Sequence, residues 1–254
     1  MGVDRPSPSS PAYRTQASVP SLPDHTRIYA IGDIHGRDDL LAQLLDMIDA
    51  DASAWPAAQS RLVFLGDYVD RGPDSHGVVE RLLNQLPPGM PADFLMGNHE
   101  RLMLDAWADE AKFPLWMGNG GMATQTSYLT ANLPPDPAGG DPRKTEAMTP
   151  PKHWMFFETL KLFVTYGDYL FVHAGIRPGR AIPDQDPHDL MWIREPFLSH
   201  QGSLGRMVVH GHTPVKAPEF LPHRIGIDTG AVFSGRLTAL VLEGDEQRVL
   251  ATRG

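Results

Sequence analysis

The chain has 254 residues, 41% of them apolar, with 24 glycines and 24 prolines; this suits one large globular domain or two small ones and excludes a fibrous or wholly disordered chain. Twenty-two basic residues stand against 31 acidic ones, and the net charge of −9 argues against nucleic acid or an anionic membrane as partner, because polyanions are repelled at long range. With no cysteine, the chain can have no disulfide, no thiolate metal site and no cysteine nucleophile.

Met1–Pro23 carries five prolines and no apolar h-region, so the N-terminus reads as a flexible Pro/Ser-rich tail over residues 1–25, with no signal peptide, and the protein as cytoplasmic. A single domain is expected over residues 26–254. Five short apolar runs of buried-strand type lie within it: Arg27–Ile31, Arg61–Leu65, Asp93–Met96, Tyr169–Val172 and Arg206–Val209. Helical spacing puts Leu40, Leu41, Leu44, Leu45 and Ile48 on one face of a helix over Asp38–Ile48. It does the same for Val78, Val79, Leu82, Leu83 and Leu86 over Asp74–Leu86, with Asp38 and Asp74 as N-caps. A third helix is predicted over Glu100–Glu110. Residues 112–154 fall outside this rhythm; they hold Phe113, Trp116, the string Asn119-Gly120-Gly121 and a proline-rich loop at 132–151, and read as a helical cap or lid. A closing hairpin joins Leu237–Leu242 to Arg248–Thr252 through a turn at Gly244–Asp245. Alternating strands and helices predict an α/β fold.

Each of the five apolar runs ends in a polar cluster: Gly32-Asp33-Ile34-His35-Gly36, Gly66-Asp67-Tyr68-Val69-Asp70-Arg71-Gly72, Gly97-Asn98-His99-Glu100, His173-Ala174-Gly175 and His210-Gly211-His212-Thr213. Any one of these is an ordinary turn composition. Five together at the carboxyl ends of strands predict one convergent site, because ligands of open α/β sheets bind there. Asp, His and Asn without Cys suit manganese, iron or zinc. Asp33, His35 and Asp67 can hold one ion, and Asp67, Asn98, His173 and His212 a second, with the Asp67 carboxylate bridging. Two such ions, about 3.5–4 Å apart, clamp phosphoryl oxygens and activate a shared water.

In this order, the blocks GDxHG, GDxxDRG, GNHE, HxG and a late GHT resemble the phosphoprotein phosphatase family of metallophosphoesterases, most closely its short bacterial and phage-type members, from Ile28 to Thr213. The resemblance implies a calcineurin-like sandwich of two mixed β-sheets flanked by helices, and two divalent ions on the ligands just named, manganese ahead of iron or zinc. It makes His99 the acid that protonates the leaving oxygen, Asp70 its carboxylate partner, and Arg71, Arg194 and Asn98 the phosphate contacts. Arg177 and Arg180 are lesser candidates for substrate contact. His210 reads as a strand-end residue, Glu100 as either a support of the ligands or a helix cap, and Asp228 as a residue that could orient a ligand. The implied activity is hydrolysis of phosphoserine or phosphothreonine in proteins or peptides by direct attack of a metal-bridging water, with phosphotyrosine left open. The rival is a dinucleoside polyphosphate (diadenosine tetraphosphate) hydrolase or a broad-specificity phosphoesterase; the presence of Asp70 favours the phosphatase. A catalytically silent scaffold would need a broken motif, and none is broken.

Overall fold

The computed structural model describes residues 19–56, 59–131 and 149–253. The proposed tail up to residue 18 and the proline-rich loop at 132–148 lie outside the described residues.

Two five-stranded mixed sheets form the sandwich, as expected. The first has the order β10-β9-β1-β2-β3: β1 (Thr26–Ile31), β2 (Gln59–Phe64) and β3 (Ala92–Phe94) are parallel, β9 (Thr238–Glu243) is antiparallel to β1, and β10 (Glu246–Ala251) is antiparallel to β9 in a hairpin. The second has the order β4-β5-β6-β8-β7: β5 (Tyr169–Val172), β6 (Met207–His210) and β8 (Arg224–Gly226) are parallel, and β4 (Phe163–Tyr166) and β7 (Glu219–Phe220) close its edges antiparallel.

Strand residues alternate between faces, and here both faces are buried. Ile28 and Ala30 of β1, with Val63, Leu240 and Leu242, meet Tyr169, Phe171, Val209 and Ile225 of the second sheet and form the core between the sheets. Their neighbours Tyr29, Ile31, Leu62 and Phe64 face outward beneath α1 (Asp38–Ala54) and α2 (Ser75–Asn84). On the far side, Leu170, Val172 and Val208 pack against Leu190 of α7 (Pro187–Trp192), Ile193 and Phe197. The predicted apolar face of α1 is the buried one, although the helix runs on past Ile48.

Several expectations need correction. Arg37, not Asp38, occupies the N-cap of α1, because the Asp38 carboxylate is drawn to Arg81 of α2 at 2.6 and 2.7 Å. Asp74 does cap α2, accepting from the Gly77 N–H at 2.8 Å. The third helix, α3 (Asn98–Ala108), starts two residues earlier than predicted, with Gly97 at its N-cap. The tail does not extend to residue 25: Leu22 is only 4% exposed, its N–H donates to the Gly244 carbonyl at 2.9 Å, and the Ser21 N–H donates to Asp168 at 3.0 Å. These residues fasten onto the turns of two hairpins, one from each sheet.

The segment after α3 contributes α4 (Phe113–Trp116), one turn of π-helix at Met117–Gly121, α5 (Met122–Thr130) and, beyond the undescribed loop, α6 (Pro151–Glu158). Its buried aromatics are not a separate core. Trp116, Phe156 and Phe157 belong to the same cluster as the helices α1 and α2. Among the described residues no helix is long and apolar enough to cross a membrane.

Candidate active site

Parallel β1, β2 and β3 in one sheet and β5, β6 and β8 in the other deliver their following loops to one pole of the sandwich. The first two loops are laced together: Ile34 and His35 N–H donate to the Asp67 carbonyl at 3.0 and 2.8 Å. Of six non-glycine residues with positive φ among the described residues, five lie here: His35, Asp67, Asp70, Arg71 and His212. That conformation is disfavoured for any residue with a Cβ, and its clustering at one pole marks a functional constraint.

The imidazoles show what the pole is built for. His173 Nδ1 donates to the Leu65 carbonyl at 2.8 Å, and burial keeps the ring neutral by lowering its pKa. Its Nε2 is therefore a bare lone pair, yet it lies 2.9 Å from Asn98 Oδ1 and 3.5 Å from Asp67 Oδ1. His212 Nδ1 lies 2.8 Å from the same Asn98 oxygen. His35 repeats the pattern: Nδ1 donates to the Val69 carbonyl at 2.9 Å, and Nε2 faces Asp67 Oδ2 at 3.4 Å. Burial pushes the His35 and His212 pKa values down to about 3; the His173 and Arg194 charges add to the effect at His212 against Asp67. Acceptors that face acceptors are unfavourable unless a cation lies between them, and a backbone carbonyl fixing the far ring nitrogen is the usual support of a metal-ligating histidine.

The carboxylates agree. Asp33, Asp67, Asp70, Glu100 and Asp228 are all buried at this pole, and buried charge is costly unless paired or bound to metal. Burial, then Asp228 and Asp67, raise the Asp33 pKa well above the carboxylate range; Asp228 is pushed up to about 6, chiefly by burial. Burial also opposes the charge on Asp67, but the field of His173, His99, His35 and His212 outweighs it and holds this carboxyl below its usual range. The donor set thus fits divalent cations. Ligand atoms of Asp67, His173 and His212 lie within 4.8 Å of one another, as do those of His35, Asp67 and His99. Asp33 stands outside both tight groups; its oxygens accept from the His212 N–H at 3.1 and 3.3 Å.

His99 Nδ1 lies 2.8 Å from Asp70 Oδ2, both side chains fully buried. Burial works against the imidazolium, but Asp67 and Asp70 outweigh it, so the His99 pKa is raised. The Arg71 guanidinium spans the mouth of the pole, 2.7 Å from both His35 Nε2 and His99 Nε2. Arg194, exposed after α7, is close enough to depress His212 and has no ion-pair partner among the described residues.

Other candidates resolve differently. Arg177 is bound to Asp189 at 2.7 and 2.9 Å, which takes it out of the substrate set. The Arg180 carbonyl holds Gln185 at 2.8 Å. His210 ends β6 with its ring edge-on to Phe197 and its Nε2 3.2 Å from Arg224, away from the ligand atoms. Sequence reasoning underrated Glu100. Its carboxylate accepts backbone N–H groups from Gly97 (3.0 Å), Asp67 (2.9 Å), Tyr68 (2.7 Å) and Val69 (3.2 Å), so it caps α3 and pins the second loop at once. Burial and the Asp67 charge push its pKa up to about 8. The signal was its place three residues after Gly97, where a helix's third residue reaches back to the cap.

Residues 26–235 match the family described as calcineurin-like phosphoesterase. The chain belongs to that family. It is therefore an enzyme of the metal-dependent phosphoester hydrolases, and the pole of buried Asp, His and Asn residues is where that family membership and the geometry coincide. Among curated relatives of this calcineurin-like phosphoesterase, serine/threonine-protein phosphatase 1 of Salmonella typhimurium is 29% identical over 216 residues, covering 83% of this chain and 89% of the relative. The asymmetrical bis(5'-nucleosyl)-tetraphosphatase PrpE of Bacillus thuringiensis is 28% identical over 238 residues, with 83% and 88% covered. A crystal structure provisionally named as a diadenosine tetraphosphatase superposes with a TM-score of 0.62 at 24% identity, covering 90% of this chain and 94% of that one, which bears on the fold alone.

Proposed function

We propose that this calcineurin-like phosphoesterase is a dinuclear phosphomonoesterase acting on phosphoserine and phosphothreonine in proteins or peptides. Asp33, His35 and Asp67 would hold one ion, and Asp67, Asn98, His173 and His212 the other, with manganese the preferred metal. When bound, the ions polarise the phosphoryl oxygens and activate water for attack on phosphorus. The chain's own residues supply the rest. Arg71 and Arg194 bind the phosphoryl oxygens, a task suited to the planar guanidinium fork. Asn98 bears on the same group from the ligand set. Asp70 orients His99 through Nδ1, which leaves Nε2 directed at the substrate to give a proton to the departing serine or threonine oxygen; an alkoxide leaves poorly without one. Without cysteine, and with the carboxylates of the pole committed to imidazole and backbone partners, water is the nucleophile and no phosphoenzyme forms.

The observation that carries this reading is the buried 2.8 Å contact between His99 and Asp70 beside the ligand set. A second reading, hydrolysis of dinucleoside polyphosphates, is favoured by the tetraphosphatase relative, which is as similar to this chain as the protein phosphatase is. The deciding experiment uses metal-stripped protein reloaded with Mn²⁺ and measures phosphate release from matched phosphoserine, phosphothreonine and phosphotyrosine peptides and, in parallel, nucleotide products (ATP with AMP, or ADP) from diadenosine tetraphosphate. Dominant turnover of the phosphoserine and phosphothreonine peptides is expected. Dominant cleavage of the dinucleotide would replace the first reading with the second.

A further inference from the structure

Asp70 is held on more sides than a partner for His99 requires. Its Oδ2 meets His99 Nδ1 at 2.8 Å. Trp116 Nε1 donates to both carboxylate oxygens, at 3.0 and 3.1 Å, and Thr124 Oγ1 donates to Oδ1 at 2.7 Å. The Asp70 N–H, in turn, donates to Thr124 Oγ1 at 2.8 Å and to Ser75 Oγ at 3.2 Å. Trp116 and Thr124 come from α4 and α5, the segment outside the strand–helix rhythm, and both are fully buried. The same segment holds the next residue: the Arg71 N–H donates to the Gly120 carbonyl at 3.2 Å. Gly120 has φ +108°, and a Cβ there would lie 2.8 Å from Arg71 Cγ and 2.9 Å from its backbone nitrogen. Asp70 and Arg71 themselves sit at φ +72° and +69°, a conformation that persists only where the surroundings impose it.

Hydrophobic packing needs neither donor. A phenylalanine at 116 and a valine at 124 would fill nearly the same space. What the indole and the hydroxyl add is direction: together they fix the plane of the carboxylate so that one oxygen stays on His99. We propose that Trp116 and Thr124 are positioning residues for the His99–Asp70 pair, and that the α4–α5 segment is the template that sets this pair and Arg71 against the substrate. The inference deepens the proposed function and rests on the reading of His99 as the acid.

The test uses full-length protein loaded with Mn²⁺ and two aryl esters, phenyl phosphate and p-nitrophenyl phosphate. Phenolate needs a proton to leave far more than nitrophenolate does, so a misdirected acid shows on the first ester more than on the second. Thr124→Val and Trp116→Phe are expected to lower kcat on phenyl phosphate by about tenfold, the lower end of what loss of a supporting partner costs. The loss on p-nitrophenyl phosphate should be smaller, with KM and bound metal unchanged. Thr124→Ser should restore the rate. In an Asp70→Ala background, Thr124→Val should cost nothing further, since coupled residues are not additive. Equal losses on both esters, or the same loss without Asp70, would reduce the two residues to packing and overturn the proposal. A wild-type protein that splits neither ester would overturn the reading of His99 instead. The contact is then still decided by the indole N–H proton resonance of Trp116, which should move in Asp70→Ala; a resonance that stays put refutes it.

Discussion

Among the described residues, two places combine histidine with carboxylate at a spacing a metal could use, and the protons are distributed differently in each. At the catalytic pole, Asp67, His173 and His212 bring ligand atoms within 4.8 Å of one another; so do His76, Glu80 and His153 where α6 crosses α2. In the second cluster the lone pairs of Glu80 and His153 meet protons. Lys152 reaches Glu80 at 2.6 and 2.7 Å, His153 Nε2 faces the same carboxylate at 3.0 Å, and the Tyr128 hydroxyl lies 2.9 Å from His153 Nδ1. Its charges cancel and it serves to pin one helix to another. In the first cluster, a backbone carbonyl takes the proton of His173 and leaves its Nε2 lone pair facing the Asn98 and Asp67 oxygens. Proximity of ligand types is common to both; the distribution of protons separates them.

The sharpest way to break this comparison is at the shared ligand. Asp67→Asn should lose bound metal at the catalytic pole and nearly all turnover, checked by elemental analysis and phosphate release; normal metal content would place the ligands elsewhere. His99→Ala should lower kcat by about 10²–10⁴-fold while metal content persists. If metal is lost with it, His99 is a ligand rather than the acid. Arg194→Ala should raise KM and weaken inhibition by inorganic phosphate by about tenfold, with metal content intact; unchanged kinetics would assign the phosphate contact to other residues. At the second cluster, Glu80→Ala should leave metal content and turnover unchanged and cost about 1–2 kcal/mol of stability by stranding the buried His153.

A further effect is one of pH. Burial pushes the His153 pKa down to about 4 from the ordinary 6.5, in spite of Glu80. Above pH 6.5 both folded and unfolded chains carry this ring neutral. As pH falls below that, the unfolded chain takes up a proton that the folded chain refuses, so stability is lost between about pH 6.5 and 4, by at most about 1.4 kcal/mol per pH unit for this group. Thermal melts across that window should fall less steeply in His153→Phe than in the wild type.

Much of this was legible in the sequence because the strands are apolar on both faces and each ends abruptly in Gly, Asp or His. Leu65 to Asp67 or Val172 to His173 reads as a strand delivering a candidate ligand, and the structure places both side chains at the common pole. The proposed ligand set and the His99–Asp70 contact draw on residues close to those ends. Other features are not local. Trp116 and Thr124 meet Asp70 from 46 and 54 residues away, and no periodicity announces such a bond. The edge strands β4 and β7, and β8 beside β7, are too short and too mixed to stand out, and their pairing comes from the sheet they join. Leu22 looked like part of a Pro/Ser tail because its burial depends on two hairpin turns formed far along the chain.

The positive φ angles at His35, Asp67, Asp70, Arg71 and His212 have a consequence for how this chain can change. At each of these positions the backbone would be more at ease with glycine, and the chemistry would be gone. On the proposed roles, folding and catalysis prefer different residues at the same five places. Variants selected only for resistance to heat should drift toward small, flexible residues at this pole, arriving at a sturdier protein that no longer turns anything over.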